Sequence, residues 1–323
     1  MRNFIKNILL FIIILLVLFF VGVFLPATPK ASKSNLFAKL DKDSLLKNTA
    51  TPRIIFIGGS NLSFGINSRI IKDSLDLNPI NTSIHATIGL VYMLDNTIDL
   101  IRSGDIVVIS PEYTHFYGKF AYGGKELLRT VFDVSLESIN TLRSNQWFNI
   151  YRYLLKYAFS KFDIREYLLK KETQIGLYER MSFNKFGDVY THWKLENEKF
   201  FPWEQIKGEF NYDVLDILLD FKNRVQEKGA ILYITFPCFQ AASFENSLTQ
   251  IRKVEIELKK KGFSILGTPE QYKMPDDLMF NTPYHLNKGG LDLRTRLLID
   301  DLKKQERAKN GFVNWKTEFG VAP

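Results

Sequence analysis

The chain has 323 residues, of which 46% are hydrophobic, 24% charged and 14% aromatic. That much apolar surface excludes an intrinsically disordered chain, and a lone cysteine, Cys238, excludes a disulfide framework or a multi-thiolate zinc site. The 43 basic residues against 35 acidic ones leave a charge of +8, but the charges are dispersed. The longest basic run, Lys259-Lys260-Lys261 before Gly262, has the pattern of a helix's last turn and its cap, so no nucleic-acid partner is expected.

Ile8 to Leu25 is an unbroken apolar run. As a helix its length is about 27 Å, enough to just span a hydrocarbon core of about 30 Å. It is longer than a signal-peptide core, and Leu25-Pro26-Ala27-Thr28-Pro29 is a poor cleavage site. Residues 1–29 are therefore expected to be an uncleaved, single-pass membrane anchor, with the main domain extracytoplasmic. The polar stretch from Lys30 to Thr51 reads as a tether.

Strands and helices then alternate. Arg53 to Ile57 is β-branched and ends at Gly58-Gly59, the pattern of a buried parallel strand. A helix is expected at Ser68–Leu75, a strand at Ile80–Ile84, a helix at Gly89–Arg102 and a strand at Ile106–Ile109. Between Asn211 and Lys228 apolar residues recur at helical spacing, and Gly229 stops the run. Further strands are expected at Ala230–Phe236 and Phe263–Leu266. Helices are expected at Leu248–Lys261 and Lys288–Lys304, the last capped by Asn287. This alternation predicts an α/β domain over 52–305, with a parallel sheet covered on both faces, and a tail at 306–323. The stretch from Pro111 to Phe210 differs: it holds 23 of the 45 aromatic residues and few strand signals. A mostly helical insertion, about 114–210, is expected there. Its rings pack against the sheet, line a carbohydrate groove or rest on a membrane surface.

In open parallel sheets ligands bind beyond the carboxyl ends of the strands. Gly58-Gly59-Ser60-Asn61 sits at such an end, where glycines permit a sharp turn and a helix start offers free N–H groups. A nucleophilic serine needs a base. His285, in Asn281-Thr282-Pro283-Tyr284-His285-Leu286-Asn287 before the final helix, should reach the same edge. Gly-Gly-Ser-Asn and Tyr-His-Leu-Asn resemble the first and last blocks of the SGNH (GDSL-like) hydrolase superfamily. With Gly104 to Tyr113 and Tyr233 to Pro237 they resemble a membrane-anchored branch associated with cell-envelope polysaccharide acylation. The resemblance covers about residues 50–113 and 211–303.

The resemblance implies a three-layer flavodoxin-like fold and acyl-ester chemistry, with Ser60 as nucleophile and His285 as general base. The oxyanion would be held by the Ser60 backbone N–H and a second N–H near Ser83, where the superfamily has glycine. After the third strand Pro111-Glu112-Tyr113 replaces the superfamily's asparagine, and Thr282 stands where its acid precedes the histidine. The orienter of His285 is then Asp277, Asn281 or a carbonyl. Asn61, His85 and Glu112 are candidates for supporting positions around the site. The implied partners are an acylated glycan or lipid-linked sugar and an integral-membrane acyltransferase. A catalytically degenerate scaffold that binds such a glycan or partner is the alternative.

Other groupings read as structural. Glu112-x-x-His115 is a single pair where a di-iron bundle needs two, so no metal is expected. Asp188 and His192 read as a helical ion pair or as pocket residues, and Cys238 as a small core residue. No phosphate-binding glycine loop occurs, and no cofactor is expected.

Overall fold

The computed structural model describes residues 1–168 and 175–310. The first helix, α1 (Arg2–Phe24), is long and apolar enough to cross a membrane, and most of its side chains face outward. The expected tether is instead part of the domain. It folds as a short helix at Pro29–Ser32 and then as α2 (Ala38–Asn48). Leu36, Lys42 and Leu46 there are buried. Its polar composition misled because two of its polar side chains, Lys39 and Lys42, are themselves buried. Lys42 Nζ donates to the carbonyls of Asn81 at 2.8 Å and Gly187 at 2.7 Å. Burial pushes this amine down to about 7, against the pull of Asp188 and Asp41.

The domain proper begins with β1 (Arg53–Gly58), α3 (Ser68–Leu75), β2 (Asn78–Asn81), α4 (Leu90–Ile98) and β3 (Ile106–Ser110). The insertion follows, built of short helical turns that include α5 (Leu154–Ser160). The chain closes with α6 (Tyr212–Glu227), β4 (Ile231–Thr235), β5 (Phe239–Gln240), α7 (Leu248–Lys260), β6 (Ile265–Leu266), β7 (Lys273–Met274) and α8 (Lys288–Asn310). The expected 306–323 tail thus starts inside α8, and residues 311–323 lie outside the described residues.

The main sheet is wholly parallel, in the order β2-β1-β3-β4-β6; β5 and β7 form a small separate pair. Counting only its own strands, the main sheet runs 2-1-3-4-5, an order compatible with a flavodoxin-like fold. Side chains alternate between its faces, as a strand's period of two requires. Ile55, Ile57, Val107, Ile109, Leu232 and Ile234 face α4, α6 and α7. Ile54, Phe56, Val108 and Tyr233 face α3 and α8.

Three boundaries differ from the sequence reading. The second strand ends at Asn81 rather than Ile84, because the Asn81 side chain accepts the Ser83 N–H at 3.1 Å and turns the chain out of the sheet. The helix expected to reach Arg102 stops at Ile98, and the last edge strand is two residues long.

Candidate active site

The order of the main sheet reverses between β1 and β3, and the crevice above their carboxyl ends is the place where such sheets bind ligands. The chain leaves β1 through Gly59 and begins a short helix, Ser60–Ser63. Gly59 is required by space. A β-carbon there would come within 2.7 Å of Glu112 Oε1 and 2.9 Å of the Ala86 Cα. Ser60 is half-buried at the helix start, whereas Asn61 is fully buried.

Asn61 locks the turn to the sheet. Its Nδ2 donates to the Ser110 carbonyl at 3.1 Å, and its Oδ1 accepts from the Ser110 hydroxyl at 3.2 Å. Beneath it lies Arg294 of α8, wholly buried. Arg294 donates to the Asn61 carbonyl at 2.7 Å, the Ser110 hydroxyl at 3.0 Å and the Phe236 carbonyl at 3.4 Å. Sequence reasoning missed this residue: Arg294 lies among Asp292, Arg296 and Asp300 in a charged helix and reads there as surface.

Glu112, after β3, is the other wall. Its side chain is buried, and Oε1 accepts the Asn61 backbone N–H at 3.4 Å. Burial pushes the carboxyl up to about 7, while hydrogen bonds from Asn61 and the Ser60 hydroxyl hold it back. The group therefore titrates near neutrality, and its neutral form carries an O–H beside the Ser60 turn. Glu112 also receives support from His115, whose Nδ1 accepts the Glu112 backbone N–H at 3.0 Å. The other His115 nitrogen donates to the Ala86 carbonyl at 3.1 Å, so both ring nitrogens are spent on the backbone. Burial pushes His115 down to about 4.

His285 is brought to the same edge by the loop before α8. Its Nδ1 is 2.8 Å from Asn281 Oδ1, and Asn281 Nδ2 in turn donates to the Tyr178 hydroxyl at 3.0 Å. An amide oxygen accepts only, so Nδ1 carries the proton and Nε2 is left as a bare acceptor. The ring stacks on Phe64, with centroids 4.1 Å apart and planes 7° from parallel. Of the candidate orienters the structure selects Asn281. Asp277 is exposed and serves through its backbone carbonyl, which accepts from Asn287 Nδ2 at 2.6 Å. Burial pushes His285 down to about 3, helped by the nearby charges of His192 and His85. Among the described residues Ser60 makes no hydrogen bond to His285; its hydroxyl favours the ionised form of Glu112.

Two more expectations are corrected. The Ser83 N–H is not free to hold an oxyanion, because the Asn81 side chain takes it. The backbone that crowds Gly59 belongs to Ala86, three residues on. Asp188 and His192 do not pair. Asp188 accepts from the Ser68 N–H at 2.9 Å, the Ser68 hydroxyl at 2.7 Å and Asn81 Nδ2 at 3.0 Å. His192 Nε2 donates to the Leu286 carbonyl at 3.1 Å, behind the His285 loop. Asp188 lies in extended chain beside the Val189 bridge, whereas His192 lies in the short turn Thr191–Lys194, so the two share no helix face.

His85 is half-buried near His285, and its Nδ1 accepts the Thr87 N–H at 3.2 Å. Cys238 is a buried core residue, its thiol pushed up to about 12 by burial. Phe64 and Tyr178 around His285 were not legible beforehand, since only tertiary contact distinguishes them from the other aromatic residues of the chain.

No family model matches the chain, and no curated protein matches it. The site is therefore interpreted from its own geometry: a serine at a helix start, a histidine with a correctly held tautomer and a bare nitrogen, and a buried carboxyl that titrates near pH 7.

Proposed function

We propose that the protein is a membrane-anchored acyl-ester hydrolase or O-acyltransferase of the SGNH type, acting on an extracytoplasmic glycan or lipid-linked sugar. The observation that carries this reading is His285, held by Asn281 with Nε2 bare at the sheet edge that also carries Ser60. Ser60 Oγ attacks the acyl carbonyl as its proton passes to Nε2 of His285. The carbonyl π pair moves to oxygen, and the alcohol leaves with the proton returned by His285. Water or a sugar hydroxyl then repeats the sequence on the acyl-enzyme and restores Ser60.

Glu112 sets the electrostatics of this step. The Ser60 hydroxyl meets Nε2 of His285 when substrate binds. The neutral Glu112 carboxyl donates its O–H toward the developing oxyanion, beside the Asn61 N–H, in the role the superfamily gives to asparagine. The ionised carboxylate repels that charge. Activity therefore lies between the titration of His285 on the acid side and that of Glu112 near 7 on the alkaline side.

The test is hydrolysis of an activated acetyl ester by the full chain in detergent, with mass spectrometry of the trapped enzyme. Turnover lost in Ser60→Ala and in His285→Ala, with an acetyl adduct on Ser60, supports the reading. A folded protein with neither turnover nor adduct overturns it as an autonomous esterase.

One observation favours a second reading. Ser60 makes no hydrogen bond to His285, and among the described residues Nδ1 of His285 meets the Asn281 amide oxygen rather than a carboxylate. A degenerate scaffold that binds a glycan or a membrane acyltransferase has no need of either link. Under that reading partner binding survives Ser60→Ala.

A further inference from the structure

The membrane-proximal corner of the insertion plays no part in this chemistry, yet it is built around α1. Gly22 is buried against α5: a β-carbon there would lie 2.3 Å from the Ala158 carbonyl oxygen and 3.0 Å from the Phe162 ring. Only three residues separate Gly22 from the end of the apolar run, about 4.5 Å along a helix. Phe24 meets Phe132 with ring centroids 6.3 Å apart. Lys161 donates to the Pro26 carbonyl at 3.2 Å, and the Thr28 hydroxyl donates to Glu166 at 3.1 Å. These contacts hold α5 beside the last turns of the span.

The outer side of this corner is apolar. Tyr151, Leu155 and Phe159 stand four residues apart on one stripe, flanked by Phe148, Phe162 and Ile164, all between 38% and 71% exposed. Scattered exposed apolar residues are ordinary, but a contiguous patch marks an interaction surface. Arg152 and Lys156 border the stripe and are also exposed. A cavity of about 370 Å³ opens between the Pro29–Ser32 helix and α5. Its cations are Lys30, Lys125, Arg129, Lys156 and Lys161, against Asp133 and Glu166. Asp133 is claimed by Lys161 and Arg129, and Glu166 by Lys30 at 3.7 Å. Lys125 and Lys156 have no acidic partner among the described residues.

We infer that this corner sits in the bilayer interface, with the α5 stripe at the headgroup–acyl boundary and the basic cavity holding the phosphate of an anionic lipid. The inference rests on the reading that α1 spans a bilayer. An element packed beside the end of a span lies at interfacial depth, where amphipathic stretches with aromatic and basic residues reside. The cavity's two unpaired lysines supply the charge that a lipid phosphate lacks. The domain is then held at a fixed attitude to the membrane rather than swinging on a tether.

The experiment uses the full chain in vesicles of phosphatidylcholine with and without phosphatidylglycerol. An environment-sensitive fluorophore is placed at Leu155→Cys, at Leu15→Cys in α1, or at the exposed Leu293→Cys of α8. Cys238 is buried and does not compete. Spin-labelled lipids should quench the labels at 155 and 15 but not at 293. If 155 is reached by aqueous iodide while 15 is quenched by lipid, the seat is overturned and the span stands. If 15 escapes lipid quenching, the span reading itself fails. If 155 is shielded from both quenchers, a protein partner or second copy covers the stripe, and the inference is overturned.

For the headgroup, native mass spectrometry should find phosphatidylglycerol retained in preference to phosphatidylcholine. Lys125→Gln with Lys156→Gln should lower that preference about thirtyfold, from about fivefold per lysine at about 1 kcal/mol each. An unchanged preference overturns the lipid-phosphate assignment.

Discussion

The two halves of the candidate site are held by different physics. The Ser60 turn is fixed by a buried polar network in which Arg294, Asn61 and Ser110 bond to one another and to the backbone. The His285 loop is fixed mainly by rings. Phe64 stacks on the imidazole, His192 and Phe280 pack behind, and a single amide from Asn281 sets the tautomer. The Ser60 side is thus held by several buried hydrogen bonds, although Nε of Arg294 has no partner among the described residues. The His285 side has a set orientation, but among the described residues its Nδ1 partner is an amide rather than an anion. Orientation and charge compensation, which one carboxylate provides in a serine–histidine–aspartate arrangement, are here separate.

The largest test of that contrast is Arg294→Ala. It strips several charge-assisted bonds from beneath the Ser60 turn and leaves a cavity. We expect a loss of about 3–5 kcal/mol in urea unfolding, with esterase activity lost in step. A stable, active Arg294→Ala protein would mean that the turn holds itself.

Next is Asn281. Asn281→Ala should lower kcat/KM about a hundredfold by freeing the ring, in line with the cost of a lost orienter. Asn281→Asp should raise the basicity of His285 and move the acid limb of the pH profile upward. An unmoved limb would show that this limb does not report His285.

Glu112→Gln separates the two walls of the crevice. The native carboxyl titrates at about 7, so activity should decline above that pH as repulsion appears. Glutamine keeps a donor and cannot ionise, so the alkaline decline should vanish while activity at pH 5 changes by less than about threefold. A decline that persists in Glu112→Gln assigns it elsewhere.

The smallest effect is on stability. His115, His192 and His285 are pushed down by burial to about 4, 4 and 3. The unfolded chain binds more protons than the folded one below the ordinary histidine value of 6.5. Stability is therefore full above that value and falls as pH drops toward the folded values. The thermal midpoint should drop by several degrees between pH 7 and pH 6, where the unfolded rings begin to take up protons. A flat midpoint would place these rings in contact with solvent.

Much of this was legible beforehand where a pattern is local. Arg53–Ile57 and Ile106–Ile109 are continuous apolar runs, and Tyr212–Glu227 carries a one-sided apolar stripe, so each declares its element without knowledge of its neighbours. Ser60 and His285 were found because each lies at a recognisable junction of loop and helix. Ser83 misled because the fate of its N–H depends on where the Asn81 side chain points. The stretch from Lys30 to Thr51 misled because Lys42 is polar by composition yet buried by contact.

The sequence by itself determined the alternation of strands and helices, the apolar span and the placing of Ser60 and His285 at the carboxyl edge, because these follow from periodicity and chain order. Tertiary structure alone decided that Asn281 rather than Asp277 orients the histidine, that Arg294 is a buried brace, and that Glu112 titrates near neutrality. Each depends on which groups are excluded from water together, and burial is a property of the packed molecule that no single residue carries.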